Sequence, residues 1–249
     1  MAVAARRIKI VVEYNGAGYH GWQVQHNAHA VQAEIEKAIF AVTGEKVRVT
    51  GAGRTDAGVH AYGQTAHFDT ESAIPAEKFQ YALNAFLPKD IAVISSEEAE
   101  PGFHARYSAT SKTYQYKIFN RKTRSPLAEN MAWHVPEPLD FAEMAKASSL
   151  FLGTHDFSSF CSSGHNISNF TRTITVSQWS RDGDYLIYTI RGNGFLYKMV
   201  RIIVGTMVEI GLGKRSPDTV PELLANRDRK KSGITAPPHG LYLVSVEYD

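Results

Sequence analysis

Ile8, Ile10, Val12 and Tyr14 recur at every second position, the period of a strand with one buried face, before Asn15-Gly16, Gly18 and Gly21 break the pattern into a loop. From Val31 the spacing changes to that of a helix: Val31, Ile35, Ala38, Ile39 and Val42 line one face until Gly44, a C-terminal cap. A short strand is predicted over 47–50, a glycine-rich loop over 51–58, a strand over 63–68 and a helix over 75–86 with Pro75 in its first turn. Strands over 91–95 and 112–119 follow. The polar stretch 120–130 is the best boundary. Beyond it the pattern predicts a helix over 139–151, a hairpin of 173–179 and 185–191 around Asp182-Gly183, an almost wholly apolar helix over 197–210 and a closing strand over 241–248.

Both parts alternate strands and helices at similar size, which predicts the α+β class with two α/β halves, residues 1–125 and 126–249. Neighbouring strands are expected to form one continuous, mostly antiparallel sheet with helices on one face and the other left as a platform. At 249 residues, 43% hydrophobic and 21% charged, the chain has the make-up of a globular protein rather than a disordered or fibrous one. Its formal net charge is only +2, so a polyanion would have to be held by a local basic patch. Cys161 is the only cysteine, which excludes an intramolecular disulfide and fits a reducing, cytoplasmic setting. The N-terminal stretch shows no apolar targeting core, and no apolar run has the length of a membrane helix.

Candidate chemistry concentrates in three places. The loop 51–60 packs three glycines, Arg54, Asp56 and His60 into ten residues, yet matches neither the dinucleotide fingerprint nor the Walker loop. It is either a tight turn capped by Asp56 or a functional loop. In the apolar helix, Arg201 lies among Met199, Val200, Ile202, Ile203 and Val204, so its guanidinium either reaches an edge or is buried beside an anion, for which Asp56 is the leading candidate. Residues 103–118 interleave aromatics and cations: Tyr114 and Tyr116 share one face of a strand, with His104, Arg106 and Lys112 close by in sequence. Unstacked bases and phosphates call for such groups, although core packing of both tyrosines is the alternative. Further cations cluster at Arg121, Lys122 and Arg124 and at Arg227, Arg229, Lys230 and Lys231. No serine elbow, zinc-type histidine pair or nucleotide motif appears, and no metal or cofactor is expected.

Taken together, these motifs resemble the TruA family of tRNA pseudouridine synthases over almost the whole chain. The resemblance rests on Tyr14-Asn15-Gly16 with Gly21-Trp22-Gln23, Gly53 to Ala61, Phe103-His104-Ala105-Arg106, Lys112 to Tyr116, Gly194 to Arg201, and Ala236-Pro237 with Gly240 to Leu243. The usual family form has Asp where this chain has Asn15, and Phe or Tyr alternate at Tyr107. The resemblance implies Asp56 as the catalytic aspartate, Tyr114 as the base-stacking tyrosine and Arg201 as the arginine paired with Asp56. It implies two ferredoxin-like or RRM-like halves around a central RNA-binding cleft, a homodimer, and isomerisation of uridine to pseudouridine at positions 38 to 40 of the tRNA anticodon arm without a cofactor. Expected RNA contacts are Arg54, Tyr114, His60, His104, Arg106, Lys112 and Lys198, with His60, His104 and Lys112 open between phosphate contact and loop scaffolding. Attack of Asp56 at C1′, addition at C6 and removal of the 2′ proton all fit the sequence, and the last is favoured. The competing readings are a non-catalytic RNA-binding or chaperone protein and a pseudouridine synthase acting on another RNA.

Overall fold

The alternating segment at the start of the chain forms β1 (Arg6–Tyr14), in which Ile8, Ile10, Val12 and Tyr14 are buried. This computed structural model describes residues 5–164 and 168–249, so the first four residues of the stretch read as lacking a targeting segment lie outside the described residues. The chain is α+β with mostly antiparallel strands, and its contacts group it into two units, residues 1–110 with 242–249 and residues 111–241. These units differ from the expected halves 1–125 and 126–249 because strand pairing, not chain order, decides where the terminal segments go.

In the first unit, β1 lies antiparallel between β3 (His60–Thr70) and β4 (Ile91–Glu98), with Ile10 opposite Ala66 and Ser96. The two-residue β2 (Thr50–Gly51) also pairs with β3. The last strand, β10 (Leu241–Tyr248), runs parallel to β3, placing Tyr242 opposite His60 and Leu243 opposite Ala61. Helix α1 (Val31–Thr43), closed by Gly44, buries Val31, Ile35, Ala38 and Ile39. Helix α2 (Phe79–Asn84) buries Phe79 and Leu83, and Phe79 meets Phe68 edge to face at 5.4 Å. The helix predicted over 75–86 is thus shorter, its first turn being the 3₁₀ turn Ala76–Lys78. The strand expected over 47–50 shrinks to β2. The Val49 amide donates to the Glu36 carboxylate at 3.0 Å and its carbonyl accepts from Gln32 at 3.1 Å, so α1 side chains take the bonds a strand partner would need.

In the second unit, β5 (Ala109–Phe119), β9 (Tyr185–Gly192), β8 (Thr171–Asp182) and β7 (Gly153–Asp156) pair antiparallel in that order, and β6 (Trp133–His134) runs parallel to β5. Helices α3 (Phe141–Ser149) and α4 (Met199–Gly211) pack against each other, and α3 also packs against β8, where Ser177 Oγ donates to the Ser148 carbonyl at 2.6 Å. A third helix, α5 (Thr219–Asn226), buries Val220, Leu223 and Leu224. Periodicity missed β6, β7 and α5 because each is too short to show more than about two repeats of its period. No helix among the described residues is long and apolar enough to cross a membrane.

Candidate active site

Asp56 sits on a loop braced from several directions. Tyr14 Oη and Thr55 Oγ1 share a buried hydrogen bond of 2.8 Å, the Trp22 amide donates to the Thr55 carbonyl at 3.2 Å, and the Gly58 amide donates to the Tyr19 carbonyl at 3.2 Å. Within the loop, the Val59 amide donates to the Asp56 carbonyl at 3.1 Å, and Gln64 donates to the Gly53 carbonyl at 2.8 Å. Gly21 has φ of +93°, and a Cβ there would lie 2.3 Å from the Thr55 carbonyl oxygen, so only glycine lets the two loops approach this closely. Tyr19 is fixed in turn by a 2.6 Å hydrogen bond to Asp90; burial first, then that carboxylate, pushes its phenol well above the ordinary value. The Tyr14-to-Gln23 and Gly53-to-Ala61 motifs therefore form one structural unit, with Asp56 half-buried and Arg54 exposed.

His60, expected as an RNA contact or a scaffold, is 1% exposed. Its Nδ1 accepts the Gly16 amide at 3.1 Å, and its ring stacks on Tyr242 with centroids 4.7 Å apart, so it joins the loop to β10. His104 and Arg106 lie in a separate turn of the same unit. His104 Nδ1 accepts the Arg106 and Tyr107 amides at 3.1 and 3.2 Å, and its ring packs 4.3 Å from that of Tyr107, while Arg106 is exposed.

Tyr114 and Arg201 belong to the second unit. Tyr114 is 8% exposed on β5 and meets Phe195 edge to face at 5.0 Å. Arg201 and Glu209 are the two half-buried residues of the otherwise buried α4; Arg201 Nε donates to the Ala236 carbonyl at 2.7 Å and its own carbonyl accepts the Ala236 amide at 3.0 Å. The next carbonyl, of Pro237, accepts from Tyr116 Oη at 2.7 Å. The segment 236–237 thus ties β5 to α4, and Gly240 leaves room for the Tyr116 ring, which a Cβ would approach to 2.6 Å. Burial pushes the Tyr116 phenol well above its ordinary value, with Arg201 opposing. Lys198 caps α4 in the left-handed region at φ +59°, its ammonium 4.8 Å above the Tyr197 ring, and Lys112 stands opposite Gly192 on β9. Phe195, in the Gly194-to-Arg201 motif, received no role from sequence reasoning; its single aromatic ring in a loop carries no periodic signal. Among the described residues no group of three or more His, Cys, Asp or Glu side chains is placed to hold a metal ion.

A family model described as tRNA pseudouridine synthase matches residues 10–108 and 147–249. The chain is 51% identical over 243 residues to proteins called tRNA pseudouridine synthase A from Thermoanaerobacter sp. (strain X514) and Acetivibrio thermocellus, covering 98% of this chain and all of each relative. It is 47% identical over 247 residues, again 98% of this chain and all of the relative, to tRNA pseudouridine synthase A 2 of Clostridium tetani. With its Asp56 loop and its Tyr114 and Arg201 elements set within regions this family model matches or full-length relatives cover, the chain belongs to the tRNA pseudouridine synthase family.

Proposed function

We propose that this protein converts uridine to pseudouridine at positions 38 to 40 in the anticodon arm of tRNA, working as a cytoplasmic homodimer without metal, nucleotide or redox cofactor. The observation that carries this reading is the 51% identity to tRNA pseudouridine synthases A over 98% of the chain, in which Asp56 occupies a loop braced on both sides. The N1–C1′ bond of the nucleotide must break, the uracil rotate, and a C5–C1′ bond form as the C5 hydrogen leaves as a proton and N1 takes one up. Asp56 is proposed as the catalytic carboxylate, the base that removes the 2′ proton as the N1–C1′ bond breaks; that proton returns to C2′ as C5 bonds to C1′. Arg201, its guanidinium oriented by Ala236, is proposed to keep that carboxylate ionised. Tyr114 supplies a stacking face for a uridine that must leave its helix at a cost of a few kcal/mol. Arg54 and Arg106, both exposed, suit phosphate contacts, and Lys112 and Lys198 add cations in the second unit.

The test is tritium release from C5-tritiated uridine in unmodified tRNA. Wild type is expected to release it, and Asp56→Asn to bind tRNA within a few-fold of wild type and release none; turnover by Asp56→Asn would sink the assignment. Uridine deuterated at C2′ should react several-fold more slowly in a single turnover if Asp56 takes that proton, and an unchanged rate would favour attack at C1′ or C6.

A further inference from the structure

At one end of the second unit's sheet, the start of β5, the start of β8 and the end of β9 enclose an open pocket of about 360 Å³ lined by Lys112, Asn169, Arg172, Asn193, Gly194 and Phe195. The polar lining is rich in donors. Asn169 Oδ1 accepts the Thr171 amide at 2.8 Å and Asn193 Oδ1 the Thr173 amide at 3.0 Å, so each side chain turns its oxygen to the backbone and carries its two donors on the NH₂. Arg172 Nη1 donates to the Asn169 and Thr171 carbonyls at 3.0 and 2.6 Å, which fixes the guanidinium before any ligand arrives. Among the described residues no carboxylate lines the pocket. Burial disfavours the charge on Arg172, a cost that an anion would offset. Two cations and two amide donors around a solvent-open space, with no acid, select an oxyanion rather than an apolar ligand.

We propose that this pocket is a subsite for a phosphodiester of the RNA backbone beside the uridine that stacks on Tyr114, with Arg172 as its principal contact. Phe195 connects the two places, because it lines the pocket and packs edge to face on Tyr114. A backbone phosphate seated there would hold the strand next to the extruded nucleotide. This inference rests on the tRNA reading above. Sequence alone hides the site because Asn169 and Arg172, at the start of β8, and Asn193, just past the end of β9, belong to no motif and lie about 20 residues apart along the chain.

The experiment is a methylphosphonate scan of an anticodon stem-loop RNA, neutralising one phosphate at a time around the target uridine, with affinity measured across a range of salt. For the unmodified RNA, Arg172→Gln is expected to weaken binding roughly tenfold and reduce the slope of log affinity against log salt by about one. One neutralised phosphate should weaken wild type by a similar factor and Arg172→Gln hardly at all, while Arg172→Lys should keep the coupling. If Arg172→Gln does not fold, as judged by circular dichroism, the scan is run with Lys112→Gln, for which coupling to a phosphate flanking the target uridine is expected. The absence of any coupled phosphate overturns the subsite. Broadening of the ³¹P resonance of inorganic phosphate that depends on Arg172, without a coupled phosphodiester, would instead assign the pocket to a free anion and also overturn it. Tritium release by wild type from the same stem-loop separates the two levels: release without coupling defeats only the subsite, whereas no release defeats the reading on which it rests.

Discussion

His67 is 5% exposed, with Nδ1 accepting the Ala105 amide at 3.1 Å; burial first, then the charges of Arg7 and His104, lower its pKa to about 4. An unfolded histidine titrates near 6.5, so between pH 6.5 and 4 the unfolded chain takes up a proton that the folded one refuses. Stability is therefore fully present above pH 6.5, falls as pH falls through that window, and levels off below it. This single group should account for on the order of 1–3 kcal/mol, and His67→Gln should flatten that part of a plot of urea midpoint against pH. Lys198 offers a second test. A side chain at φ +59° costs up to about 1 kcal/mol that glycine avoids, so Lys198→Gly should keep or raise the Tm. A loss of tRNA affinity without a loss of Tm would then report the missing ammonium. His60 and His104 show what the residue scale hides: both are polar residues in motif blocks, and only the structure reveals that each has a ring nitrogen committed to backbone amides.

At the scale of elements, each half of the proposed chemistry depends on a segment distant in sequence. The Asp56 loop is fixed by residues 14–22, and Gly21→Ala, which forces a Cβ against the Thr55 carbonyl, should cost about 1–3 kcal/mol and lower kcat more than it raises the KM for tRNA. Tritium-release kinetics with the variant's urea midpoint would check both. In the other unit, Tyr116→Phe removes the donor to the Pro237 carbonyl and should cost about 1–2 kcal/mol, with activity falling because the 236–237 segment also orients Arg201. Full activity in Tyr116→Phe would mean that Arg201 is held by α4 alone. The alternation of Tyr114 and Tyr116 on β5 was legible from the sequence. Their different partners, Phe195 for one and Pro237 for the other, were not, because both lie more than 70 residues away along the chain.

At the scale of the molecule, the last eight residues belong to the first unit. Tyr242 and Leu243 are buried there beside β3, and Tyr248 Oη donates to the Ala105 carbonyl at 2.7 Å. Removing residues 242–249 should therefore expose an edge of β3 and lower hydrogen-exchange protection in residues 60–70, more than 170 positions away, which exchange mass spectrometry can follow. The sequence by itself determined the α+β class, most of the element order, the position of the glycine-rich loop and the family resemblance, because these depend on local periodicity, turn chemistry and short motifs. It also singled out Asp56, Tyr114 and Arg201, each conspicuous against its immediate neighbours. Only the tertiary structure decided which strand β10 joins, why Val49 does not extend β2, and that the ends of β5, β8 and β9 form a donor-rich pocket around Arg172. The physical reason is that strand pairing, buried hydrogen bonds and pockets are made by residues brought together across long stretches of chain, and no local pattern records which distant partner each will find.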